Sequence, residues 1–221
     1  MGLMKCMKKV MPEAIPAPGA IIYNAIPAKI LRKPARKIGN EIVQKIGSGT
    51  IIDLGSGTGY LAIEIAKKAP GLKVYGIDLS KEMIRIARRH SKGIRNVRFE
   101  FGNAAKLPFK DESIDFIVST GSLHHWKKPA KVFDECYRVL KRGKEAWIYD
   151  GCSGVPKEQA GQTIRGYGLL RYKILSQLQK LHGFTEEEYR TTIKGILDKT
   201  AFKDSYEMEL TDIWMKITLI K

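Results

Sequence analysis

The chain has 221 residues, 43% of them apolar and 28% charged, which suffices for one domain with a sizeable core and falls a little short of two. No apolar run reaches the ~18 to 20 residues of a membrane span, and the basic start MGLMKCMKKVMPEA lacks the apolar core and cleavage site of a secretory signal. The outlying bulk property is a net charge of +16.

After a proline-punctuated, irregular start (Pro12, Pro16, Pro18, Pro27), the spacing of Ile38, Ile42 and Ile46 predicts a helix over 35–46. A repeating scheme then begins. TIIDL (50–54) reads as a strand, 58–69 as an amphipathic helix stopped by Pro70-Gly71, and KVYGI (73–77) as the next strand. Ser80 is a good N-cap for the following helix, with Glu82 in its first turn. VRFEF (97–101), IDFIVS (114–119) and EAWIY (145–149) are further strands, and a helix over 129–141 opens on Pro129 and stops at Gly143. Strands alternating with helices imply a parallel sheet covered on both faces. Beyond 151 come two helical patterns, about 160–182 and 185–199. Two strands, SYEMEL and IWMKITLI, then follow so closely that only antiparallel pairing is open to them.

The stretch IIDLGSGTGYLAIEI (51–65) places Gly55, Gly57 and Gly59 where a strand hands over to a helix. In an open α/β sheet ligands lie beyond the carboxyl ends of the strands, and a bare backbone turn there approaches a ligand without side chains in the way. The next strand ends in GIDLS, which puts Asp78 at its tip, 19 residues past Gly59 and suited to ribose hydroxyls. The spacing is G-x-G-x-G, not the dinucleotide G-x-G-x-x-G, and Asp53 precedes it. An acid beside the turn repels a pyrophosphate and suits an α-ammonium group. A nucleoside joined to an amino acid fits better than a nicotinamide dinucleotide.

These motifs, in this order, resemble the class I S-adenosylmethionine-dependent methyltransferases, in the group that includes ubiquinone- and menaquinone-biosynthesis C-methyltransferases. The resemblance spans about 48–150 and extends more weakly to 221. GNAAKLPF (102–109), DESIDFIVS and LHHWKKPAKVFDECYRVLKRG carry it beyond the glycine turn. It implies a Rossmann-like three-layer α/β sandwich with a seven-stranded, mostly parallel sheet, order 3-2-1-4-5-7-6, and an antiparallel last strand. It further implies S-adenosyl-L-methionine as cofactor and S-adenosyl-L-homocysteine as product. Asp53, Gly55, Ser56, Gly57 and Gly59 would meet the methionine part, Asp78 and Leu79 the ribose, and Asn103 and Ala104 the adenine. Ser119 would complete the site. Tyr23 lies in a segment that family members fold over the cofactor, so residues 1–46 are expected to form a cap on a domain of 47–221 with a helical insertion at about 155–200. Asn103 stands where the family commonly has Asp.

Methyl transfer from a sulfonium needs alignment and exclusion of water more than a catalytic group. Acceptors that must lose a proton need a base, and His124, His125 and Asp150 lie at strand ends. Adjacent histidines diverge and no third ligand stands near, so no metal site is expected. Tyr23, Tyr60 and Trp126 are aromatic candidates beside the sulfonium. Cys6, Cys136 and Cys152 are too few and too scattered for a disulfide framework, which points to a reducing cytoplasm. Residues 1–50 carry a cationic surplus of seven and residues 51–100 five more, whereas 201–221 total minus one. A solvated basic surface and a nucleic-acid partner both fit that distribution. The acceptor is expected to be a small molecule. The alternatives are an RNA acceptor and, from another class, a non-catalytic module that only binds the cofactor.

Overall fold

A computed structural model describes residues 13–20, 27–153, 161, 164–165, 168–211 and 214–221. Its elements are α1 (Pro27–Lys45), β1 (Gly49–Leu54), α2 (Tyr60–Lys68), β2 (Leu72–Asp78), α3 (Lys81–His90), β3 (Val97–Phe101), β4 (Ile114–Thr120), a 3-10 turn (Leu123–His125), α4 (Pro129–Val139) and β5 (Leu140–Ser153). There follow α5 (Leu169–His182), the two-residue β6 (Phe184–Thr185), α6 (Glu186–Glu188), a π-helical turn (Tyr189–Ile193), α7 (Lys194–Leu197), β7 (Tyr206–Thr211) and β8 (Trp214–Ile220).

The strand order is β3-β2-β1-β4-β5-β8-β7, with β6 beside β5. This is the expected order once β6 is set aside. β8 runs antiparallel to β5 and to β7, and the other pairs are parallel. Both faces of the sheet are covered, so β1 is apolar on both: Ile52 and Leu54 join the core under α4, while Ile51 faces α1 and α2. The order reverses at β1, whose neighbours are β2 and β4, and a crevice therefore opens beyond the carboxyl ends of β1 and β4.

Two boundaries depart from the spacing argument. α1 begins at Pro27 rather than near 35 and carries Pro34 inside. An interior proline costs about 3 kcal/mol of helix propensity. Here Pro34 shares the buried stripe with Ile38 and Ile42, so packing against α2 outweighs the lost hydrogen bond. The helix over 129–141 stops at Val139, because Leu140 already pairs with Ile114. The ladder then jumps from Leu140 to Glu145 while β4 advances from Ile114 to Phe116, and Gly143, at φ 68°, sits in that bulge. The helix at 185 is capped as its sequence suggests: Thr185 Oγ1 accepts from Glu188 N, and the Glu188 side chain accepts from Thr185 N. Among the described residues no helix is long and apolar enough to cross a membrane.

Candidate active site

The bend after β1 is held from below and from the side. Gly55 N and Ser56 N both donate to the Ile77 carbonyl, at 2.8 and 3.1 Å, and Gly59 N donates to Ser56 O at 2.9 Å. Gly55, Gly57 and Gly59 all have positive φ, at 66°, 52° and 84°. Two of them are also pinned by neighbours. A Cβ on Gly55 would lie 2.5 Å from the Ser122 Cβ, and one on Gly59 would lie 2.6 Å from the Phe99 ring. The glycines thus meet a steric demand as well as a conformational one.

Asp78 ends β2 beside this bend. Its Oδ2 accepts from Gly57 N at 2.8 Å and its Oδ1 from Ser80 N at 2.8 Å. A carboxylate offers about four acceptor positions, so these two bonds leave capacity for a ligand's hydroxyls. Burial holds the Asp78 carboxyl above the usual range, against the opposing pull of the Ser80 and Gly57 amides. Leu79, half-buried, follows it.

Asp53 lies deeper, 2% exposed, on the α2 side of β1. The N-cap of α2 is Gly59, which has no side chain to cap the helix, and Asp53 instead accepts the backbone N–H of Ala62. Burial, reinforced by Asp78, pushes its pKa up to about 8. A cation brought to this pair of carboxyls would favour their ionised forms, so the pair suits a ligand cation.

Ser119 is fully buried behind the bend, its hydroxyl donating to Leu54 O at 2.8 Å and 2.6 Å from Ser122 Oγ. Ser56, also in the bend, has a buried hydroxyl without a partner among the described residues. Asn103 is exposed after β3, and its Oδ1 accepts from Ala105 N at 2.8 Å, which shapes the turn that carries Ala104. That loop is clamped from α4. Arg138 donates to Leu107 O, Phe109 O and Asp111 as well as to Glu135, whose other role is to accept from Leu107 N at 2.7 Å. Tyr23 lies outside the described residues.

His124 meets Asp150 across the ends of β4 and β5. Asp150, 1% exposed, accepts from His124 N at 3.0 Å, from His124 Nδ1 at 2.8 Å and from Gly151 N at 2.7 Å. A carboxylate facing Nδ1 fixes the hydrogen there, which makes Nε2 the acceptor nitrogen. The His125 ring lies 4.1 Å from that of His124. Trp126 packs edge-on against Phe133 in the core. Cys136 and Cys152 are buried and free, and burial pushes both thiols up, Cys152 to about 11.

An open cleft runs from the bend to α1, walled by Leu31, Ala35 and Ile38 on one side and by Ser56, Thr58 and Tyr60 on the other. Sequence reasoning did not find the pairing of Ser122 with Gly55, the Arg138–Glu135 clamp or the engagement of Tyr60 by α1. Each depends on a contact between segments far apart in the chain, for the clamp that of Arg138 and Glu135 with the loop at 107–111, and leaves no local signal.

Residues 47–208 match the family model described as a methyltransferase domain. A demethylmenaquinone methyltransferase of Chlorobaculum parvum is 41% identical over 93 residues, which is 42% of this chain and 37% of that protein. An uncharacterized protein of Methanocaldococcus jannaschii is 31% identical over 141 residues, 59% of this chain and 66% of that one. In both cases the match spans less than two thirds of the relative's length. Among solved structures, a candidate S-adenosyl-L-methionine-dependent methyltransferase of Methanococcus maripaludis superposes with a TM-score of 0.76 at 26% identity, covering 94% of both chains.

Proposed function

The chain belongs to the methyltransferase-domain family, and from that premise we propose that it transfers the methyl group of S-adenosyl-L-methionine to a small-molecule acceptor beside the Gly55–Gly59 bend. The observation that carries the reading is the 2.8 Å bond between Asp78 and the Gly57 amide, which joins a ribose-binding carboxylate to a ligand-facing turn. When bound, the cofactor supplies a methyl group already activated on a sulfonium. The chain's own residues hold and orient it. Asp78 receives the ribose hydroxyls with Leu79 alongside. The backbone of Gly55, Ser56, Gly57 and Gly59 lies along the methionine, with Asp53 beneath supplying negative potential for the α-ammonium. Asn103 and Ala104 border the adenine, and Ser119 braces the bend from behind. α1 walls this end of the site, and the helical insertion at about 155–200 shapes the acceptor side.

Where the acceptor must lose a proton, His124 takes it at Nε2, and Asp150 positions the ring through Nδ1. His125 packs beside it. A small acceptor accords with the name of the Chlorobaculum relative, and the buried free thiols accord with a cytoplasmic setting. Calorimetry with S-adenosyl-L-methionine tests the site: Asp78→Ala is expected to weaken binding at least 100-fold, and equal tight binding by both proteins would overturn the assignment.

A second reading, with RNA as acceptor, is favoured by where the charge sits. Lys33, Lys37, Lys67, Lys68, Arg88 and Arg89 are exposed on α1–α3, whereas Glu64 and Glu82 of the same layer are each paired with an arginine. Binding to tRNA that falls steeply with salt, and falls further on neutralising Lys33, Lys37, Lys67 and Lys68, would support it. Absence of binding at low salt would remove it.

A further inference from the structure

The amino-acid end of the cofactor proposed above carries a carboxylate as well as an ammonium, and of these two groups a carboxyl under the bend can serve only the ammonium. The carboxylate has to be held on the side of the cleft away from Asp53 and Asp78, where α1 forms the wall. One cation of α1 is tied to that edge of the bend through Tyr60. Arg32, exposed on α1, donates from Nη2 to the Tyr60 hydroxyl at 2.8 Å, and its guanidinium carbon lies 4.2 Å from the Tyr60 ring centroid. Tyr60 is in turn stacked on His90, with centroids 5.1 Å apart and planes 22° from parallel. The His90 Nδ1 lies 3.0 Å from Thr58 O, an atom that can only accept, so this nitrogen carries hydrogen and locks the imidazole onto the bend. The next arginine along α1, Arg36, is engaged with Glu64.

We propose that Arg32 binds the α-carboxylate of the cofactor, so that α1 closes on the amino-acid end through a charged contact and not through apolar packing alone. The inference rests on the cofactor reading above. Guanidinium has five N–H donors in a fork that matches a carboxylate, and the Tyr60 bond uses one of them. The sandwich of guanidinium, phenol and imidazole sets the height of that fork over Tyr60, the first residue of α2. Ser56 also lines the cleft, with its hydroxyl turned inward over Gly76 of β2.

Calorimetry with two ligands separates this role from a general one. S-Adenosyl-L-homocysteine carries the amino-acid end, whereas 5′-methylthioadenosine lacks it. Arg32→Gln is expected to weaken S-adenosyl-L-homocysteine about 10- to 100-fold, the range for losing a hydrogen bond to a charged group, and to leave 5′-methylthioadenosine within twofold. Arg32→Lys should recover part of the loss, since it keeps the charge and not the fork. The methyl ester of S-adenosyl-L-homocysteine should bind the unaltered protein about tenfold or more weakly than the free acid, a comparison that needs no variant to fold. Equal weakening of both ligands by Arg32→Gln, no weakening of either, or equal binding of ester and acid would overturn the proposal and leave the cofactor reading standing. Failure of the unaltered protein to bind either ligand would overturn both.

Discussion

Replacing Asp53 by Asn tests the electrostatics of the site without touching its shape. Asn keeps an oxygen to accept from Ala62 N and removes the ionisable proton. In the folded chain the Asp53 carboxyl is pushed up to about 8 from an ordinary value of 3.8. Its folded pKa therefore exceeds its unfolded one. Between those two values the folded state holds more protons than the unfolded state, so stability falls as pH rises from about 4 and levels off above about 8. At pH 7 the unfolded carboxyl is about 3 pH units past its midpoint while the folded one remains protonated, and at ~1.4 kcal/mol per unit the burden is about 4 kcal/mol. Water reaching the site reduces this figure, which makes it an upper bound. Asp53→Asn should thus raise the melting temperature of the ligand-free protein by up to ~8 to 15 °C at pH 7, at ~2 to 4 °C per kcal/mol for a chain of this size. The gap should shrink toward zero by about pH 4. The same variant should bind S-adenosyl-L-methionine more weakly, and the release of nearly one proton that accompanies binding at pH 7 in the unaltered protein should vanish. Melting curves of the two proteins that run parallel from pH 4 to pH 8 would refute the reasoning, because only a titrating Asp53 makes them diverge.

Gly59→Ala places a side chain at φ 84°, 2.6 Å from the Phe99 ring. Left-handed backbone and overpacking each cost about 1 to 3 kcal/mol, so urea melts should show a loss of roughly 3 kcal/mol together with loss of cofactor binding. Asn96→Ala separates stability from function. The Asn96 Nδ2 donates to Ala66 O, Ala69 O and Leu72 O at 2.9 to 3.2 Å, closing the carboxyl end of α2 on the side of the sheet away from the cleft. Its removal should cost about 2 kcal/mol in urea melts with no change in cofactor affinity measured by calorimetry.

The parts of this site that could be read from the chain are those in which backbone geometry dictates residue type. Gly55, Gly57 and Gly59 have positive φ, and no other residue meets that demand three times in five positions, so the bend was legible along with the strand tip that holds Asp78. The sheet was legible for a similar reason, since each strand is an apolar run bounded by turn residues. Where two local rules compete, the sequence misleads. Pro34 reads as a helix breaker, yet it lies on the stripe that α1 buries against α2, and burial outweighs propensity. Leu140 reads as the end of a helix until its pairing with Ile114 claims it for β5.

What no local rule reports is the partner of a side chain. Asp53 reads as a ligand for a cation because it stands beside a glycine turn. The fold gives it a further task, since Gly59 leaves α2 without a side-chain cap and Asp53 accepts from Ala62 in its place. The two roles are not in conflict. A carboxyl that caps a helix at short range is held in position, and one that is buried, with Asp78 nearby, resists ionising until a cation arrives. The cap therefore fixes where the charge will appear, and burial, reinforced by the neighbouring acid, decides when. A ligand ammonium that approaches the bend draws the Asp53 carboxyl toward the ionised form, which couples cofactor binding to proton release at this one strand-to-helix junction.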